Sequence, residues 1–418
     1  MKSRRAPEQG GNLKPVKKIE LSERHVKLRI VLVVLFIVIA LAAFAMGIVF
    51  WLSTDAGWTQ VEANASDTNC SGDFVFYYEV STGGLDGTEE LNGVASAYGR
   101  ATVNAYRIFN DIEEFDGVNN LAYLNANINT EVEVDEHLYS ALQLMQSSGS
   151  NLLYYAPVYS YYNSLFFANS DTGAAFYDPY KNEDAAAYVA AVAKYINDGD
   201  VSLELLGNNR VILHVSDEYA QFAEENEITS YLDFFVLKNA FIIDYIAEYL
   251  QQAGVASGLL TSYDGYTSAF GDGVSSTASI FNKEGDSVYI AGSVTAEGAV
   301  SAVQFRDYAL NSSDYGCKYG YSDGTTAHRY IDDKDGLYKS SISDLLVYST
   351  DAGCAELMLR VLPLYAADEF DEEGLLALKS DGIYSVYCVG TEIVYSYSGL
   401  DITAYTYDGR AYTKRYEE

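Results

Sequence analysis

The segment from Tyr231 to Gly258, YLDFFVLKNAFIIDYIAEYLQQAGVASG, constrains the fold of this chain most strongly. Its first residues are apolar and β-rich, and they predict a strand that passes directly into a helix over residues 239–252. Apolar residues lie on nearly every face of that helix, and Gly254 follows as a stop. A helix that is apolar on all sides is normally buried, so we expect this element to lie in the core of a sizeable domain.

Two charged residues in this segment need an explanation. Lys238 stands at the predicted strand-to-helix corner, and no other Lys or Arg occurs between Arg210 and Lys283. Asp244 lies inside the apolar helix, where a carboxylate needs a partner or an exposed slot. Lys238 is the nearest cation in the sequence. Either the two residues face a pocket, or the lysine extends from a buried helix into water, as lysines usually do.

The first residues of the chain predict a membrane anchor. Residues 1–29 form a basic tail with nine Lys or Arg against three Asp or Glu, and residues 30–52 are apolar and uncharged. At about 1.5 Å per residue this run can cross a hydrocarbon core of roughly 30 Å, and it is too long for a cleaved signal peptide. Because basic residues stay in the cytoplasm, we expect a single-pass cell-membrane protein with a cytoplasmic N-terminus and an extracellular C-terminal domain.

The exported part of the chain is strongly acidic. The whole chain carries a net charge of −33 and residues 1–29 carry +6, so the remainder carries −39. A surface of this charge repels phosphate backbones, which excludes nucleic acid as an expected partner. An anionic ligand would need a cation to hold it there. Four cysteines lie on this side, and the sequence leaves both disulfides and buried free thiols open.

The pattern of the exported part predicts one large α+β domain. Residues 53–73 are small, polar and aperiodic, which predicts a stalk; residues 74–400 form the domain, and residues 401–418 a C-terminal tail. Strand and helix patterns mix without the regular alternation of a doubly wound fold. Strands are predicted over residues 74–81, 211–215, 287–291, 299–305, 345–348, 383–389 and 392–397, and helices over residues 93–115, 132–145 and 184–197.

The sequence lacks the common catalytic signatures GxGxxG, GxxxxGK[ST] and GxSxG. It does contain a tyrosine cluster, formed by Tyr154, Tyr155, Tyr159, Tyr161 and Tyr162. Such a cluster either stacks on an aromatic or sugar ligand, or simply replaces Phe and Leu in a half-buried helix.

Several segments follow the order and spacing of the ApbE-type FAD:protein FMN transferases, and the resemblance spans roughly residues 95–400. The segment from Phe115 to Asn125, FDGVNNLAYLN, resembles the family's "yDpxSeisrlN". The segment that begins at Leu232 resembles "lDlggiaKGyaaDraaelLkeaGvkngll", which places Lys238 and Asp244 on the family's lysine and aspartate.

Three later segments continue the resemblance. SSDY at 312–315 resembles the family's "SGdY", HRYID at 328–332 resembles "hHiiDP", and TDA at 350–352 resembles "aDalsT". The resemblance implies a T-fold-related, ApbE-like domain in an exported, magnesium-dependent enzyme. Such an enzyme splits FAD and attaches FMN through a phosphoester bond to a Ser or Thr of an exported redox protein.

The resemblance also implies roles for particular residues. Lys238 and Asp244 take catalytic positions at the nucleotide. Asn125 and Asp351 take the positions of Mg²⁺ ligands, and their oxygens are of the hard type that Mg²⁺ prefers. The residues implied to bind FAD are Ser312, Asp314, Tyr315 and His328.

At several positions the chain departs from the family pattern. The threonine four residues after the aspartate is Ala355, the histidine before "iiDP" is Arg329, and the Gly-Gly after "gll" is Tyr263-Asp264. The glycine after the lysine is Asn239, and the glycine of "SGdY" is Ser313.

These departures leave three hypotheses open. The first is an anchored enzyme that flavinylates an exported redox protein. The second is a non-catalytic descendant that binds a flavin or another aromatic ligand. The third is a tyrosine-rich interaction protein on a reused scaffold, for which side chains that fill the pocket in place of the glycines would be the discriminating observation.

Overall fold

The structure is a computed structural model that describes residues 54–310, 317–407 and 409–417, with a few isolated positions between 35 and 46. The strands are β1 (Gly57–Val61), β2 (Phe74–Val80), β3 (Glu131–Glu133), β4 (Val201–Gly207), β5 (Arg210–Val215), β6 (Gly258–Ser262), β7 (Tyr266–Phe270), β8 (Ser275–Glu284), β9 (Ser287–Glu297), β10 (Val300–Arg306), β11 (Lys318–Gly320), β12 (Thr326–His328), β13 (Asp344–Ser349), β14 (Ile383–Val389), β15 (Glu392–Tyr395), β16 (Asp401–Ala404), β17 (Thr406–Tyr407), β18 (Arg410–Ala411) and β19 (Thr413–Tyr416). The helices are α1 (Gly84–Ile108), α2 (Leu121–Ala126), α3 (Glu136–Ser148), α4 (Ala156–Phe166), α5 (Asp171–Phe176), α6 (Glu183–Asp198), α7 (Asp217–Glu225), α8 (Lys238–Gln252), α9 (Cys354–Tyr365) and α10 (Glu372–Ala377).

A nine-stranded sheet forms the middle layer, in the order β1-β2-β6-β7-β10-β13-β14-β15-β19. Its neighbours are antiparallel except β15 and β19, which are parallel. Helices α1, α8 and α9 pack on one face, over the larger core. The sheet β16-β9-β8 covers part of the other face with a smaller core that includes Ile280, Val294 and Leu346. Because both faces are covered, β13 is buried at every position.

The predicted helix over residues 239–252 is confirmed as α8, which packs against α1, α9, β6 and β7. The strand predicted before it is wrong. Residues 230–234 form no strand, and Phe235–Leu237 is a 3-10 turn in which Phe235 has a φ of 42°. The Asp233 carboxylate accepts the Phe235 N–H at 2.7 Å, which turns the chain and prevents it from pairing.

The predicted stalk and C-terminal tail are wrong, because both regions pair with the domain. Within residues 53–73, β1 lies beside β2 at the edge of the main sheet, and Val61 is buried. Asn64 donates its N–H to the Ala95 carbonyl of α1 at 3.0 Å. Within residues 401–418, β16 pairs with β9 and β19 pairs with β15.

Two other predicted helices differ in where they begin. The helix predicted over residues 132–145 begins only at Glu136, because Val132 pairs with β5 and Asp135 accepts the His137 N–H at the helix start. The helix predicted over residues 93–115 extends from Gly84 to Ile108. An N-terminal signal for α1 is weak in the sequence, since its cap, Gly83, has no side chain to accept a hydrogen bond.

The transmembrane helix predicted over residues 30–52 lies outside the described residues, apart from isolated positions. In the portion of the chain that the structure covers, every helix is too short or too polar to cross a bilayer.

All four cysteines are free thiols in the structure. Cys70 donates to the Thr102 carbonyl at 3.2 Å, and Cys354 donates to the Thr267 carbonyl at 3.2 Å. Both thiols are buried, and burial raises their pKa above the ordinary value. At these two positions the structure therefore has the buried thiols that the sequence left open.

Candidate functional site

Lys238 begins helix α8 and is the counter-ion of a group of carboxylates. Its Nζ donates to Asp111 Oδ1 at 2.5 Å, and Asp111 is largely buried. Burial lowers the pKa of Lys238, but the fields of Asp111, Asp233 and Asp73 outweigh it, so the pKa lies above its ordinary value. Lys238 is therefore a charged, anchored residue and does not extend freely into water.

The carboxylates around Lys238 outnumber it. Burial, and then the negative field of Asp111, raise the pKa of Asp233 to about 7, although Lys238 opposes the shift. Burial and then Asp264 raise the pKa of Asp73 in the same way. One lysine thus offsets only part of the negative charge at this corner.

Asp244 holds helix α9 and is not paired with Lys238. Its Oδ1 accepts the Cys354 N–H at 2.8 Å, and its Oδ2 accepts the Ala355 N–H at 2.9 Å. The residue before α9 is Gly353, which offers no side-chain cap, and a Cβ there would lie 2.6 Å from Asp244 Oδ2. Burial raises the pKa of Asp244 to about 6, although the backbone donors oppose it. Asp244 therefore supplies from α8 the cap that α9 lacks.

Asn125 ties helix α2 to the segment that precedes α8. Its Oδ1 accepts the N–H groups of Tyr231 at 3.0 Å and Leu232 at 2.9 Å, and its Nδ2 donates to the Leu232 carbonyl at 3.0 Å. Both acceptor positions of the amide oxygen are therefore used by the backbone. Asp351, the other residue implied to bind a metal, is exposed in the loop before α9.

Three side chains from different elements meet at the loop between β6 and β7. Asp264 Oδ2 accepts from Asn239 Nδ2 at 3.1 Å and from Arg329 Nη1 at 2.9 Å, and the Asp264 carbonyl accepts from Arg329 Nη2 at 2.7 Å. We call Asn239, Asp264 and Arg329 the Asp264 cluster. Arg329 is 6% exposed, so this is a buried, hydrogen-bonded ion pair. The cluster borders a recess of about 160 Å³.

The predicted FAD-binding residues are only partly described. Ser312, Asp314 and Tyr315 lie outside the described residues. His328 is buried against Tyr330 and Tyr338, and burial lowers its pKa to about 3. His328 is therefore a neutral core histidine, and it does not line the recess beside the Asp264 cluster.

A larger cavity, of about 540 Å³, opens beside Asp111 and Asp233. Helix α4, the first turns of α6 and the segment 226–230 form its other walls. Of the tyrosine cluster, Tyr161 lines this cavity, whereas Tyr155, Tyr159 and Tyr162 are fully buried in the core. These three tyrosines therefore serve as core residues in place of Phe or Leu, as in the second interpretation of the cluster.

Comparison with solved structures gives the fold. The chain aligns with the ApbE protein of Thermotoga maritima at a TM-score of 0.52 and 13% identity, over 83% of this chain and 96% of that one. The chain has the ApbE fold. The flavinyl transferase ApbE of Pseudomonas stutzeri aligns at a TM-score of 0.48 and 13% identity, over 83% of this chain and 95% of that one. The flavin transferase ApbE of Vibrio cholerae aligns at a TM-score of 0.49 and 11% identity, over 84% of this chain and 97% of that one. No family model and no curated protein matches the chain.

On this ApbE fold, the residues implied to hold Mg²⁺ do not fit the ion. The Asn125 oxygen already accepts two backbone N–H groups, and Ala355, at the position of the family's threonine, has no hydroxyl. Over the described ranges, no three His, Cys, Asp or Glu side chains converge in a way that could hold a metal ion. Asp351 alone is not a metal site.

The Asp264 cluster consists of residues at which the sequence departs from the family pattern. Asn239 and Asp264 replace glycines, and Arg329 replaces the histidine; in the ApbE fold these three side chains bond to one another. Side chains therefore stand in place of two glycines at this corner, but a recess of about 160 Å³ and the cavity of about 540 Å³ stay open. The filled pocket that would favour the interaction-protein hypothesis is thus not what these described residues form. The sequence did not reveal that these three replacements form one cluster. The one available sign was that all three fall within motifs of the family pattern.

Proposed function

We propose that this chain is a membrane-anchored, extracytoplasmic ligand-binding protein that uses the ApbE fold without transferring FMN. The observation that carries the proposal is the Asp264 cluster. A guanidinium, a carboxylate and an amide bond to one another where the family pattern has two glycines and a histidine. The recess that remains, about 160 Å³, is below the roughly 300–1,000 Å³ of sites that enclose a drug-sized ligand.

Charge supports the same proposal. The open cavity beside Lys238 is lined by Asp111, Asp184, Glu227 and Asp233. The two phosphates of FAD would lie against these carboxylates without the cation that the acidic domain needs to hold an anion. Asn125 and Ala355 do not supply the ligands that Mg²⁺ would need in order to offset this negative charge.

The second candidate is an FAD:protein FMN transferase that modifies a Ser or Thr of an exported redox protein. The ApbE fold favours it, since the Thermotoga maritima protein that shares the fold is described as an ApbE protein and the sequence resembles the ApbE-type transferases. A charged lysine at the start of α8 is also suited to neutralising phosphate. The Asp264 cluster and the acidic cavity count against it.

Incubating the full chain with FAD, with and without Mg²⁺, tests the choice. We expect no AMP release above a protein-free control and no quenching of flavin fluorescence. AMP release that depends on the protein would overturn the proposal and support the transferase.

A restored variant sharpens this test. The triple substitution N239G/D264G/R329H returns the cluster to the family pattern, whereas D264N/R329Q keeps its bulk and removes its charge. If the cluster closes the corner, flavin quenching appears only in the triple variant, and circular dichroism verifies that both variants fold. Equal quenching by the parent chain would show that the cluster does not obstruct a flavin.

A further inference from the structure

The 540 Å³ cavity has a strongly biased charge. Four of its lining residues are acidic, namely Asp111, Asp184, Glu227 and Asp233, and no Lys or Arg is among the described residues that line it. Lys238 does not line the cavity, but it pairs with Asp111 and also acts on Asp233, which leaves Asp184 and Glu227 without an ion-pair partner among the described residues. A cavity of this charge favours a cationic occupant.

The aromatic side chains of the same wall favour an organic cation. Tyr161 and Tyr188 both line the cavity, with ring centroids 4.7 Å apart and an angle of 30° between the ring planes. Burial raises the pKa of the Tyr161 hydroxyl, and the nearby Asp184 carboxylate raises it further, so the ring stays neutral. Ring faces attract ammonium groups, and most strongly where water is partly excluded.

An apolar surface completes the lining. Ile112 is 83% exposed although it is a large aliphatic residue, and it lines the cavity together with Pro157. An inorganic cation gains nothing from such contacts, whereas the methylene groups of an alkylammonium ion would be removed from water there.

The carboxylates are also spread over the wall. In the part of the chain that the structure covers, no three acidic or other metal-ligating side chains converge, the cavity included. Spread carboxylates suit a ligand whose positive charges are separated along a chain better than a single ion, which needs its oxygens within about 2–2.6 Å of one point.

We propose that this cavity binds an aliphatic polyamine, that is, an alkyl chain with two or more ammonium groups. The inference rests on the proposed ligand-binding function and names its ligand class. The ammonium groups pair with Asp184, Glu227 and Asp233 beside the Tyr161–Tyr188 pair, while the methylene groups lie against Ile112 and Pro157.

Calorimetric titration of the full chain, in a nonionic detergent, with spermidine as the probe tests the proposal. We expect saturable binding of one spermidine that weakens as salt is raised, because salt screens partly exposed charges. Removing one charge with D233N or D184N should weaken binding by about threefold to tenfold, the range of about 0.7–1.4 kcal/mol. Asn can still accept the Phe235 N–H, so D233N keeps the local turn.

The matched control is D217N. Asp217 is exposed in the first turn of α7, as Asp184 is in the first turn of α6, but it does not line the cavity. It should leave spermidine affinity unchanged. Equal weakening by D217N would mean that spermidine responds only to overall charge, and the proposal would fail.

Two further arms separate the outcomes. Mg²⁺ alone should not displace spermidine at equal concentration; displacement would show an inorganic cation site instead. Absence of spermidine binding overturns this inference while the FAD experiment still decides between binding and transfer. AMP release with intact spermidine binding would overturn the proposed function and leave a cation site on an enzyme.

Discussion

At the scale of single residues, the buried carboxylate of Asp264 depends on Arg329. R329M would leave this charge in the protein with Asn239 as its remaining side-chain donor. Losing one partner of a buried pair costs about 3–5 kcal/mol, so we expect the free energy of unfolding in urea to fall by that amount. The double variant R329M/D264N should be more stable than R329M, because the uncompensated charge is gone. A loss below about 1 kcal/mol in R329M would contradict a buried ion pair.

Asn125 separates a structural role from a metal-binding role. N125D keeps an acceptor for Tyr231 and Leu232 but buries a charge and removes the donor to the Leu232 carbonyl. We expect unfolding in urea to require about 2–4 kcal/mol less free energy. A magnesium ligand would behave in the opposite way, since a carboxylate binds the ion more strongly than an amide. Thermal unfolding of N125D that shifts upward with Mg²⁺ would therefore restore the metal interpretation.

At the scale of elements, helix α1 shows that the segment 54–73 is part of the domain. A Cβ on Gly99 would lie 2.3 Å from the Asn64 carbonyl oxygen, whereas a Cβ on Gly93, in the same helix, would meet nothing within 4 Å. We expect G99A to lower the free energy of unfolding by about 1–3 kcal/mol, because the backbone must move. G93A should raise it by up to about 1 kcal/mol, as alanine does in a helix interior. If both variants gained stability in urea unfolding, residues 54–73 would not pack there.

The same elements show which structure is readable from sequence. Helix α8 is predicted well because its apolar residues recur at helical spacing and Gly254 follows it. The strand predicted before it is wrong because one carboxylate, Asp233, forms a local turn that apolar composition does not reveal. Strand β1, GWTQV, was not predicted, because an edge strand with one buried residue has only a weak alternation of apolar and polar residues.

The site was less predictable than the fold. The order of motifs located Lys238 and Asp244, but their partners lie far away in sequence: Asp111 for the lysine and the start of α9 for the aspartate. Long-range pairs of this kind are set by packing, and composition does not specify them. The Asp264 cluster joins three segments in the same way, so its members appeared from the sequence to be separate losses.

At the scale of the whole molecule, buried acids make stability depend on pH. Burial, as the leading cause, raises the pKa of Asp233 to about 7 and the pKa values of Asp244 and Asp344 to about 6, each from an ordinary value of 3.8. The folded protein therefore binds protons between about pH 4 and 7 that the unfolded chain has released. Stability consequently falls as pH rises through this window and rises as pH is lowered.

We therefore expect urea unfolding at pH 5.5 to require more free energy than at pH 7.5, by a few kcal/mol for the three carboxyl groups. His328 opposes them by about 1 kcal/mol, because burial lowers its pKa to about 3 and only the unfolded chain protonates it in this window. Lower pH also reduces the repulsion of a chain that carries −33 at pH 7, which acts in the same direction. D233N cannot titrate, so it should flatten the profile above about pH 6 and leave the part set by Asp244 and Asp344 at lower pH. Among the three acids, Asp344 pairs with Arg306, whose Nε lies 3.2 Å from Asp344 Oδ2. A profile in which stability rises from pH 5.5 to 7.5 by more than the roughly 1 kcal/mol that His328 supplies would show that cationic partners stabilise these carboxylates in their charged form.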